Sequence, residues 1–378
     1  MQRRMMGQTK EEVSLLGFGC MRLPTLPTGE IDEAEAIAMI RYAIDHGVNY
    51  LDTAYSYHDG QSEVLVGKAV QDGYREKVNI ATKLPMWLVK SPQDCARYFN
   101  EQLERLGVEC IDFYLLHALN RRSWQQALEH EALEFLEQMQ MEGRIRYAGF
   151  SFHDDLPVFR EIVDAYPWDF CQIQFNYMDE CHQAGLAGLK YAASKGLGVV
   201  IMEPLRGGRL VRNLPPEVEE LFRTAPIKRS PAEWALRWVA DHPEVSVILS
   251  GMHQMSDVEE NVRVLSEAKP HSLSKKELGI IAQARELYTQ RIQIPCTDCR
   301  YCLPCPQGVE IPRLFRLYNE ASMYNSFASD RPQYEYLAKN GKDASQCIAC
   351  GSCEAACPQN LEIIELLKVV DRAFTAKV

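Results

Sequence analysis

The residues best able to do chemistry in this sequence are its cysteines, most of which lie near the C-terminal end. Eight of the 13 cysteines fall between positions 296 and 357, in the runs C-x2-C-x2-C-x2-C-P and C-x2-C-x2-C-x3-C-P. Thiolates spaced in this way on a tight loop reach several irons of one cubane cluster, and the cysteine before proline turns away from it. The spacing therefore predicts iron–sulfur chemistry. The alternative is a pair of structural zinc sites, although zinc needs only two pairs of cysteines and no trailing proline.

Each run is expected to hold one [4Fe–4S] cluster and to lend a ligand to the other. In this crossed arrangement, the cysteine that precedes proline in one run completes the cluster of the other run. One cluster would then be held by Cys296, Cys299, Cys302 and Cys357. The other would be held by Cys347, Cys350, Cys353 and Cys305. The first run departs from the usual pattern, because it has two residues rather than three before its last cysteine.

Four polar residues in the N-terminal part of the chain form a second candidate group. Asp52, Lys83 and His117 each end a predicted strand, and Tyr57 lies in the loop after the first of these strands. A phenol is a poor acid at neutral pH, because its ordinary pKa is about 10, and an adjacent ammonium lowers that pKa. Lys83 is expected to do this, while Asp52 keeps the lysine charged. Tyr57 can then donate a proton to a carbonyl oxygen that His117 polarises.

The elements that must position these side chains are repeated strand–helix units. Short β-branched runs alternate with stretches of helical periodicity between about residues 14 and 268. Eight units favour a closed (β/α)8 barrel over an open sheet, and in such a barrel the C-terminal ends of the strands share one mouth. The strands are predicted at 15–20, 48–53, 78–83, 111–117, 145–151, 170–176, 198–203 and 245–251.

The character of the sequence changes at the Ile294-Pro295 step, where a cysteine-dense segment without strand patterning begins. We predict two domains at this boundary. Residues 1–293 form the barrel, and residues 294–378 form a small, mainly α-helical iron–sulfur domain. The segment between the two cysteine runs is expected to form two helices.

Composition and charge exclude several classes of function. The net charge of −11 offers no basic footprint for a nucleic-acid backbone. No stretch approaches the roughly 20 apolar residues that a membrane-spanning helix needs, and the N-terminus lacks the apolar region of a secretion signal. Cysteines in such a chain serve metal binding or catalysis rather than disulfides. We therefore expect a cytoplasmic protein that acts on a small molecule.

The motif DTAxxY after one strand, a lysine at the end of the next strand and LLH at the end of the following strand together resemble the aldo-keto reductase superfamily. The resemblance covers roughly residues 10 to 268. It implies a nicotinamide-dependent carbonyl reductase or alcohol dehydrogenase, in which Tyr57 donates the proton and Asp52, Lys83 and His117 complete a catalytic tetrad. The second cysteine run is similar to the bacterial ferredoxin pattern, and the long spacer resembles α-helical ferredoxin modules.

The same resemblance implies a set of contacts to NAD(P)H around the barrel mouth. The implied residues are Gly19, Cys20 and Met21 at the nicotinamide ribose, Ser151 and Gln174 at the carboxamide, Met202 at the ring face, Pro204, Leu205 and Gly207 in a pyrophosphate loop, Gly251, and Glu260 and Asn261 at the adenine. Family members often place Lys and Arg, which grip a 2′-phosphate, where this chain has Gly251 and Asp257. NADH is therefore expected at least as much as NADPH.

The sequence leaves open how the two parts work together. A hydride carries two electrons whereas a [4Fe–4S] cluster changes by one, and no flavin motif is present to convert between them. In one interpretation the clusters relay electrons to or from a redox partner protein, and in a second they stabilise the barrel mouth. In a third, the barrel binds nucleotide without turnover, and the chain is a redox sensor or an electron-transfer subunit.

Overall fold

The computed structural model describes residues 1–376 and contains a closed barrel of eight parallel strands. An N-terminal hairpin comes first, formed by β1 (Arg3–Met5) and β2 (Glu12–Ser14). The barrel strands are β3 (Leu16–Gly19), β4 (Tyr50–Asp52), β5 (Asn79–Leu84), β6 (Ile111–Leu119), β7 (Ile145–Phe152), β8 (Phe170–Gln174), β9 (Gly198–Met202) and β10 (Val247–Ser250). Consecutive strands are neighbours, and β10 pairs with β3 to close the ring. The predicted (β/α)8 barrel is confirmed.

Helices alternate with these strands. They are α1 (Glu33–Asp45), α2 (Gln61–Ala69), α3 (Pro92–Leu106), α4 (Arg121–Glu129), α5 (Ala132–Met141), α6 (Leu156–Ala165), α7 (Gly185–Ser194), α8 (Pro216–Thr224), α9 (Pro231–Ala240), α10 (Met255–Glu267) and α11 (Lys275–Thr289). The Asp32 side chain caps α1 by accepting a hydrogen bond of 3.2 Å from the Glu35 amide. Gly107 ends α3 with a φ of +64°, a left-handed conformation that glycine adopts without strain.

Apolar side chains fill the inside of the barrel. Tyr50, Phe113 and Phe170 are fully buried there together with smaller residues from other strands. Met6 and Val13 from the N-terminal hairpin belong to the same core. The hairpin therefore contributes to the barrel core, which leaves the opposite, C-terminal ends of the strands for polar residues.

Contacts divide the chain into two compact units. The first comprises residues Met1–Gly207 and Pro231–Lys275, and it contains all the barrel strands. The second comprises Gly208–Ser230 together with the chain from Lys276 onward. The segment that carries α8, together with α11, therefore groups with the cysteine-rich part of the chain.

The second unit is helical. Besides α8 and α11 it contains α12 (Ile311–Met323), α13 (Phe327–Lys339), α14 (Ser352–Ala355) and α15 (Ile363–Thr375). The first two of these four are the helices predicted between the cysteine runs. Apolar residues such as Phe315, Leu337 and Phe374 form its core, and cysteines of both runs pack against that core. Across residues 1–376, none of the helices has both the length and the apolar character to cross a membrane.

Candidate active site and candidate iron–sulfur sites

The residues of the predicted tetrad lie at the C-terminal ends of three neighbouring strands. Asp52 is the last residue of β4, Lys83 is the next-to-last residue of β5, and His117 lies near the end of β6. Tyr57 begins a tight turn over residues 57–60, shortly after β4. Because β5 pairs with both β4 and β6, the fold brings these side chains to one part of the barrel mouth.

Lys83 and Asp52 form a buried ion pair. The Lys83 amine donates hydrogen bonds of 2.9 and 2.7 Å to the two carboxylate oxygens of Asp52, and one of 2.6 Å to the carbonyl of Thr53. Burial by itself would lower the pKa of Lys83. Attraction to Asp52 and contact with Tyr57 outweigh burial, so the pKa of Lys83 is raised and the amine stays charged.

The Tyr57 phenol lies next to this charge. The Lys83 amine is 5.0 Å from the centre of the Tyr57 ring. Burial raises the pKa of Tyr57, and Lys83 opposes this through its charge and a hydrogen bond, while Asp52 adds to the rise. Burial is the largest of these effects, so the net lowering of the pKa expected from the sequence is not found, although Lys83 acts in the predicted direction. A phenol with a raised pKa stays protonated at neutral pH and is available as a proton donor.

The imidazole of His117 stands edge-on to the Tyr57 ring, with the ring centres 6.1 Å apart and an interplanar angle of 79°. Its Nδ1 atom is buried and has no hydrogen-bond partner within residues 1–376. Burial is the main reason why the pKa of His117 lies well below its ordinary value, and the charge of Lys83 lowers it further. The ring is therefore neutral at neutral pH and offers one N–H group to an incoming oxygen.

Trp87 belongs to this site but was not singled out from the sequence. It lies in the 3-10 turn over residues 86–88, and its ring centre is 5.0 Å from that of His117. Trp87 is 46% exposed although its side chain is large and apolar. An exposed aromatic ring beside the imidazole provides an apolar wall for a ligand. Its place in the loop after a strand that ends in Lys83 is the sequence signal that could have identified it.

The residues predicted beneath the nicotinamide ribose follow the first barrel strand. Gly19 ends β3, and the amide of Cys20 donates a hydrogen bond of 2.8 Å to the carbonyl of Asp52. The Cys20 side chain is fully buried, and this burial raises the pKa of its thiol far above the ordinary value. Met21 is 53% exposed. Cys20 is therefore a packing residue with an unreactive thiol, whereas Met21 is accessible to a ligand.

Ser151, Gln174 and Met202 lie at the ends of β7, β8 and β9. Gln174 and Met202 are paired in register across the sheet. The Ser151 hydroxyl accepts a hydrogen bond of 2.7 Å from the amide of Ala118. The side-chain amide of Gln174 donates one of 2.8 Å to Asp179. The three residues predicted at the carboxamide and the ring face are thus brought to adjoining strand ends.

The predicted pyrophosphate loop, which contains Pro204, Leu205 and Gly207, follows β9 directly. Its backbone adopts a left-handed conformation at four positions, namely Glu203 (φ +57°), Arg206 (φ +48°), Gly207 (φ +64°) and Gly208 (φ +92°). This conformation is unfavourable for residues that carry a side chain. Such a loop keeps its shape only where its neighbours hold it in place.

The residues predicted at the adenine end lie on or near β10 and α10. Gly251 directly follows β10. Asn261 is buried, and its side-chain amide donates a hydrogen bond of 2.9 Å to the hydroxyl of Ser250. Glu260 is 3.9 Å from the guanidinium of Arg263. The Asn261 side chain is thus already engaged in joining α10 to the end of β10, while the Glu260 side chain is partly exposed.

Arg22 is a second residue of the site that no sequence motif identified. A side chain at Gly251 would meet the aliphatic stem of Arg22 at 3.2 Å, and one at Gly207 would meet its guanidinium at 3.1 Å. Arg22 therefore spans two of the glycines predicted to contact the dinucleotide. Its nearest carboxylate is Glu203, at 4.0 Å, and the Arg22 side chain is 50% exposed. Arg22 therefore places a cation that a phosphate could contact beside Gly251, where the sequence predicted only Gly251 and Asp257.

Five cysteines of the second unit line a cavity. This cavity of about 220 Å³ is lined by Cys302, Cys305, Cys347, Cys350 and Cys353. Four of these five are the cysteines assigned to one cluster by the crossed arrangement. The donor set is therefore chemically suited to an iron–sulfur group, because soft thiolates converge on a space enclosed by apolar side chains.

The other predicted set is also close together. Burial raises the pKa of the Cys296 thiol, and Cys299 and Cys357 are near enough to raise it further. Burial also raises the pKa of the Cys302 thiol, and Cys296, Cys299 and Cys353 raise it further. Cys302 and Cys353 therefore lie where the two sets meet. Within residues 1–376, no three His, Cys, Asp or Glu side chains are grouped so as to hold a single metal ion.

Comparison with known proteins identifies both the barrel part and the cysteine-rich part of the chain. Residues 15–286, more than half of the chain, match the model of the Aldo/keto reductase family. Residues 295–362 match the model of a 4Fe-4S dicluster domain.

Individual relatives match the barrel part. The chain is 28% identical to Probable aldo-keto reductase 1 of Glycine max, over 72% of this chain and 86% of that protein. It is also 28% identical to L-galactose dehydrogenase of Arabidopsis thaliana, over 73% of this chain and 92% of that protein. Among solved structures, the holo form of aldo-keto reductase AKR11C1 from Bacillus halodurans has a TM-score of 0.63 and 28% identity, covering 75% of this chain and 96% of that one. The chain is an oxidoreductase of the aldo/keto reductase family that carries a C-terminal 4Fe-4S domain.

Proposed function

We propose that the chain catalyses NAD(P)-dependent reduction of a carbonyl group, and oxidation of the corresponding alcohol, at the mouth of the barrel. The observation that carries this proposal is the buried pair of Lys83 and Asp52 beside the Tyr57 ring, with the neutral imidazole of His117 edge-on to it. Side chains of these types on adjoining strands match what proton transfer to a carbonyl oxygen requires.

In the direction of reduction, Tyr57 gives its hydroxyl proton to the carbonyl oxygen. The nicotinamide, when bound, supplies the hydride that the carbonyl carbon receives. Lys83 stabilises the phenolate that forms on Tyr57, and Asp52 holds the Lys83 amine charged and in place. His117 donates its N–H to the same carbonyl oxygen and orients it. In the direction of oxidation, the phenolate of Tyr57 accepts the proton of the alcohol.

We assign the dinucleotide to the strand ends and loops at Gly19, Met21, Ser151, Gln174 and Met202, the loop over residues 203–208, and the segment of Gly251, Glu260 and Asn261. Arg22 supports this assignment because it supplies a cation between Gly207 and Gly251. Cys20 lies between Gly19 and Met21 and, because its side chain is buried, would contact the dinucleotide only through its backbone. Asp257 disfavours the 2′-phosphate of NADPH, whereas Arg22 favours it. Both NADH and NADPH are therefore tested.

The test is turnover by the full-length protein purified without oxygen. Oxidation of NADH and NADPH is followed with a panel of aldehydes and ketones, and reduction of NAD⁺ and NADP⁺ with alcohols and sugars. L-galactose is included because one relative is named L-galactose dehydrogenase. The substrate class that we propose is a small carbonyl compound or the matching alcohol.

The decisive variant is Tyr57→Phe, which removes the proposed proton donor. We expect kcat to fall by about 10²- to 10⁴-fold, with dinucleotide affinity unchanged. Tyr55→Phe is the matched control, because the Tyr55 hydroxyl donates its hydrogen bond of 2.7 Å to Glu101. Full turnover by Tyr57→Phe would contradict the proposal.

For the C-terminal part, we propose two [4Fe–4S] clusters with crossed ligands and a domain boundary between residues 293 and 294. The cavity lined by Cys305, Cys347, Cys350 and Cys353 supports one ligand set, and the proximity of Cys296 to Cys299 and Cys357 supports the other. Quantification of iron and sulfide tests this, with about eight of each expected per chain. Flavin is quantified in the same sample.

Cys302 of one set and Cys353 of the other line the same cavity, so the two clusters would lie close together, which favours electron relay to a redox partner protein, with a bound flavin to convert between hydride and single electrons. Iron–sulfur clusters supply one-electron transfer when bound. The test is to reduce the clusters with dithionite, remove the excess, and follow whether NAD(P)⁺ or a carbonyl substrate restores their visible absorbance. Absorbance that is not restored would contradict the relay and favour a structural role. If the protein binds the dinucleotide but turns over none of the substrates, this result favours the interpretation that it senses nucleotide without turnover.

A further inference from the structure

The loop over residues 203–208 is continuous with a segment that belongs to the second unit. The division between the two units falls between Gly207 and Gly208. On the barrel side of this step, Arg206 forms an ion pair with Asp179. On the other side, Arg209 forms ion pairs within the second unit. Two arginines, one in each unit, thus anchor the chain on either side of two glycines.

The anchor of Arg209 is well built. Its guanidinium is 3.1 Å from a carboxylate oxygen of Glu320 in α12 and also pairs with Asp330 in α13. Asp330 is only 2% exposed, and its second oxygen accepts a hydrogen bond of 2.7 Å from Ser326. A buried carboxylate with a guanidinium partner is costly to separate from it, because the charge would be left without compensation. Arg209 is therefore firmly attached to α12 and α13.

The anchor on the barrel side leads to the proposed nicotinamide site. The carboxylate of Asp179 that pairs with Arg206 also accepts hydrogen bonds of 2.8 Å from Gln174 and 2.9 Å from Asn176. Gln174 is a proposed contact of the carboxamide. A displacement of Arg206 would therefore disturb the group that orients Gln174.

The loop between the anchors depends on them. Glu203 and Arg206 carry side chains but have left-handed φ angles of +57° and +48°. Each such residue is strained and persists only when its surroundings enforce it. Gly207 and Gly208 add two positions at which the backbone turns freely. Release of either arginine would allow the loop to relax.

We propose that Arg209 is a positioning residue for dinucleotide binding. By fixing Gly208 to α12 and α13, it holds the loop over residues 203–208 in the conformation that binds the pyrophosphate. Arg209 thereby sets the affinity of this loop for the dinucleotide. This inference rests on the proposed function, because it assigns that loop to the dinucleotide. The helices that hold Arg209 lie between the two cysteine runs in the sequence, and cysteines of both runs pack against the core to which these helices contribute.

The experiment measures binding of ADP and NADH to the full-length, iron-loaded protein by calorimetry. ADP is the probe for the loop because it carries a diphosphate without a nicotinamide. We expect Arg209→Ala to weaken the affinity for both ligands by roughly tenfold, and Arg209→Lys to recover part of it. The matched control is Arg223→Ala, which removes an exposed arginine of α8 that pairs with Glu220 in its own helix. This control should leave both affinities unchanged.

Hydrogen exchange supplies a readout that a general loss of stability would not reproduce. In Arg209→Ala we expect faster exchange of amides over residues 203–208, with unchanged exchange in β4 and β5 and unchanged iron content. If Arg209→Ala does not retain its iron, Glu320→Gln replaces it, since this variant weakens the anchor and keeps Asp330. We expect a loss of about threefold in ADP affinity for Glu320→Gln.

Failure of this inference is distinguishable from failure of the proposed function. If the wild-type protein binds neither NADH nor NADPH, the proposed function is wrong. If the wild-type protein binds them and an iron-loaded Arg209 or Glu320 variant binds ADP equally well with unchanged exchange in the loop, the positioning role is overturned and the proposed function stands.

Discussion

The Lys83 amine and the Asp52 carboxylate lie 2.7 Å apart, with 0% and 4% of their side chains exposed. An ion pair in such a place adds little net stability, because both charges lose their hydration. Its chemical effect is larger, since Lys83 is the group that opposes the rise in the pKa of Tyr57 caused by burial. The pair thus links the stability of the barrel mouth to the acidity of the proposed proton donor.

The first prediction concerns this pair. Asp52→Asn leaves the Lys83 ammonium buried without its partner, and we expect the free energy of unfolding to fall by about 3 to 5 kcal/mol. The double variant Asp52→Asn with Lys83→Met removes both charges and should recover most of this loss. Denaturant unfolding followed by circular dichroism measures both effects. Lys68→Met is the control, because Lys68 pairs with Glu33 at the surface. If the losses from the two single variants simply add in the double variant, the coupling is absent.

A second prediction concerns the pH dependence of reduction, which needs the protonated Tyr57. Because burial raises the pKa of this phenol, kcat/KM for reduction should be level through neutral pH and fall only above the ordinary tyrosine pKa of about 10. Lys83→Met removes the charge that lowers this pKa. The alkaline limb of the profile should therefore move to higher pH, at a lower maximal rate.

The same profile tests His117. Its pKa lies well below the ordinary histidine value, chiefly because of burial, so the ring stays neutral as the pH falls through that value. No acidic limb should occur near pH 6.5, the ordinary histidine pKa. A limb near that pH that disappears in His117→Gln would contradict the assignment of a neutral imidazole.

Much of the barrel could be predicted from the sequence. The strands predicted at 78–83 and 111–117 are found at Asn79–Leu84 and Ile111–Leu119. Buried parallel strands form continuous β-branched and apolar runs, which a local pattern reveals. Because the fold class places strand ends at one mouth, the positions of Asp52, Lys83 and His117 followed from the strands.

Other features depend on residues that are far apart in the chain, and no local pattern reveals them. Arg22 packs against Gly251, and Arg209 pairs with Asp330, across long stretches of sequence. The pKa of Tyr57 is another case, because burial of the phenol depends on how the surrounding loops fold. The N-terminal hairpin was missed since its strands have only 3 residues each.

The third prediction concerns Arg22. Arg22→Met keeps an apolar stem near Gly251 and removes the charge, so we expect affinity for NADH and ADP to fall by about tenfold, with a weaker dependence on salt. The affinities of Arg22→Lys should lie between those of the wild-type protein and those of Arg22→Met. Gly251→Ala should have a smaller effect, because the added carbon would lie 3.2 Å from the Arg22 stem, which need move only slightly. Calorimetry of each variant tests this, and unchanged affinity in Arg22→Met would exclude a role for Arg22.

The fourth prediction concerns Cys305, which belongs to the first cysteine run but lines the cavity with Cys347 and Cys350 of the second. If the ligands are crossed, Cys305→Ala removes a ligand from that cluster. Iron and sulfide should fall by up to about half, and the double variant of Cys305→Ala with Cys347→Ala should lose no more, because both cysteines then belong to the same cluster. Cys181→Ala is the control, because Cys181 is an exposed cysteine outside both runs. Loss of nearly all iron in the double variant alone would argue against the crossed arrangement.

The last prediction concerns Trp87, whose ring centre lies 5.0 Å from that of His117. An exposed indole next to the group that orients the carbonyl should contact the substrate and not the dinucleotide. Trp87→Ala should therefore raise KM for aromatic and other apolar carbonyl compounds by about tenfold, and leave the affinity for NADH unchanged. Trp87→Phe should retain most of the preference for aromatic and apolar carbonyl compounds, since it keeps an aromatic face. Steady-state kinetics on matched aromatic and short aliphatic aldehydes separates the two effects, and an equal rise in KM for both classes would show that Trp87 supports the shape of the loop and does not select the substrate.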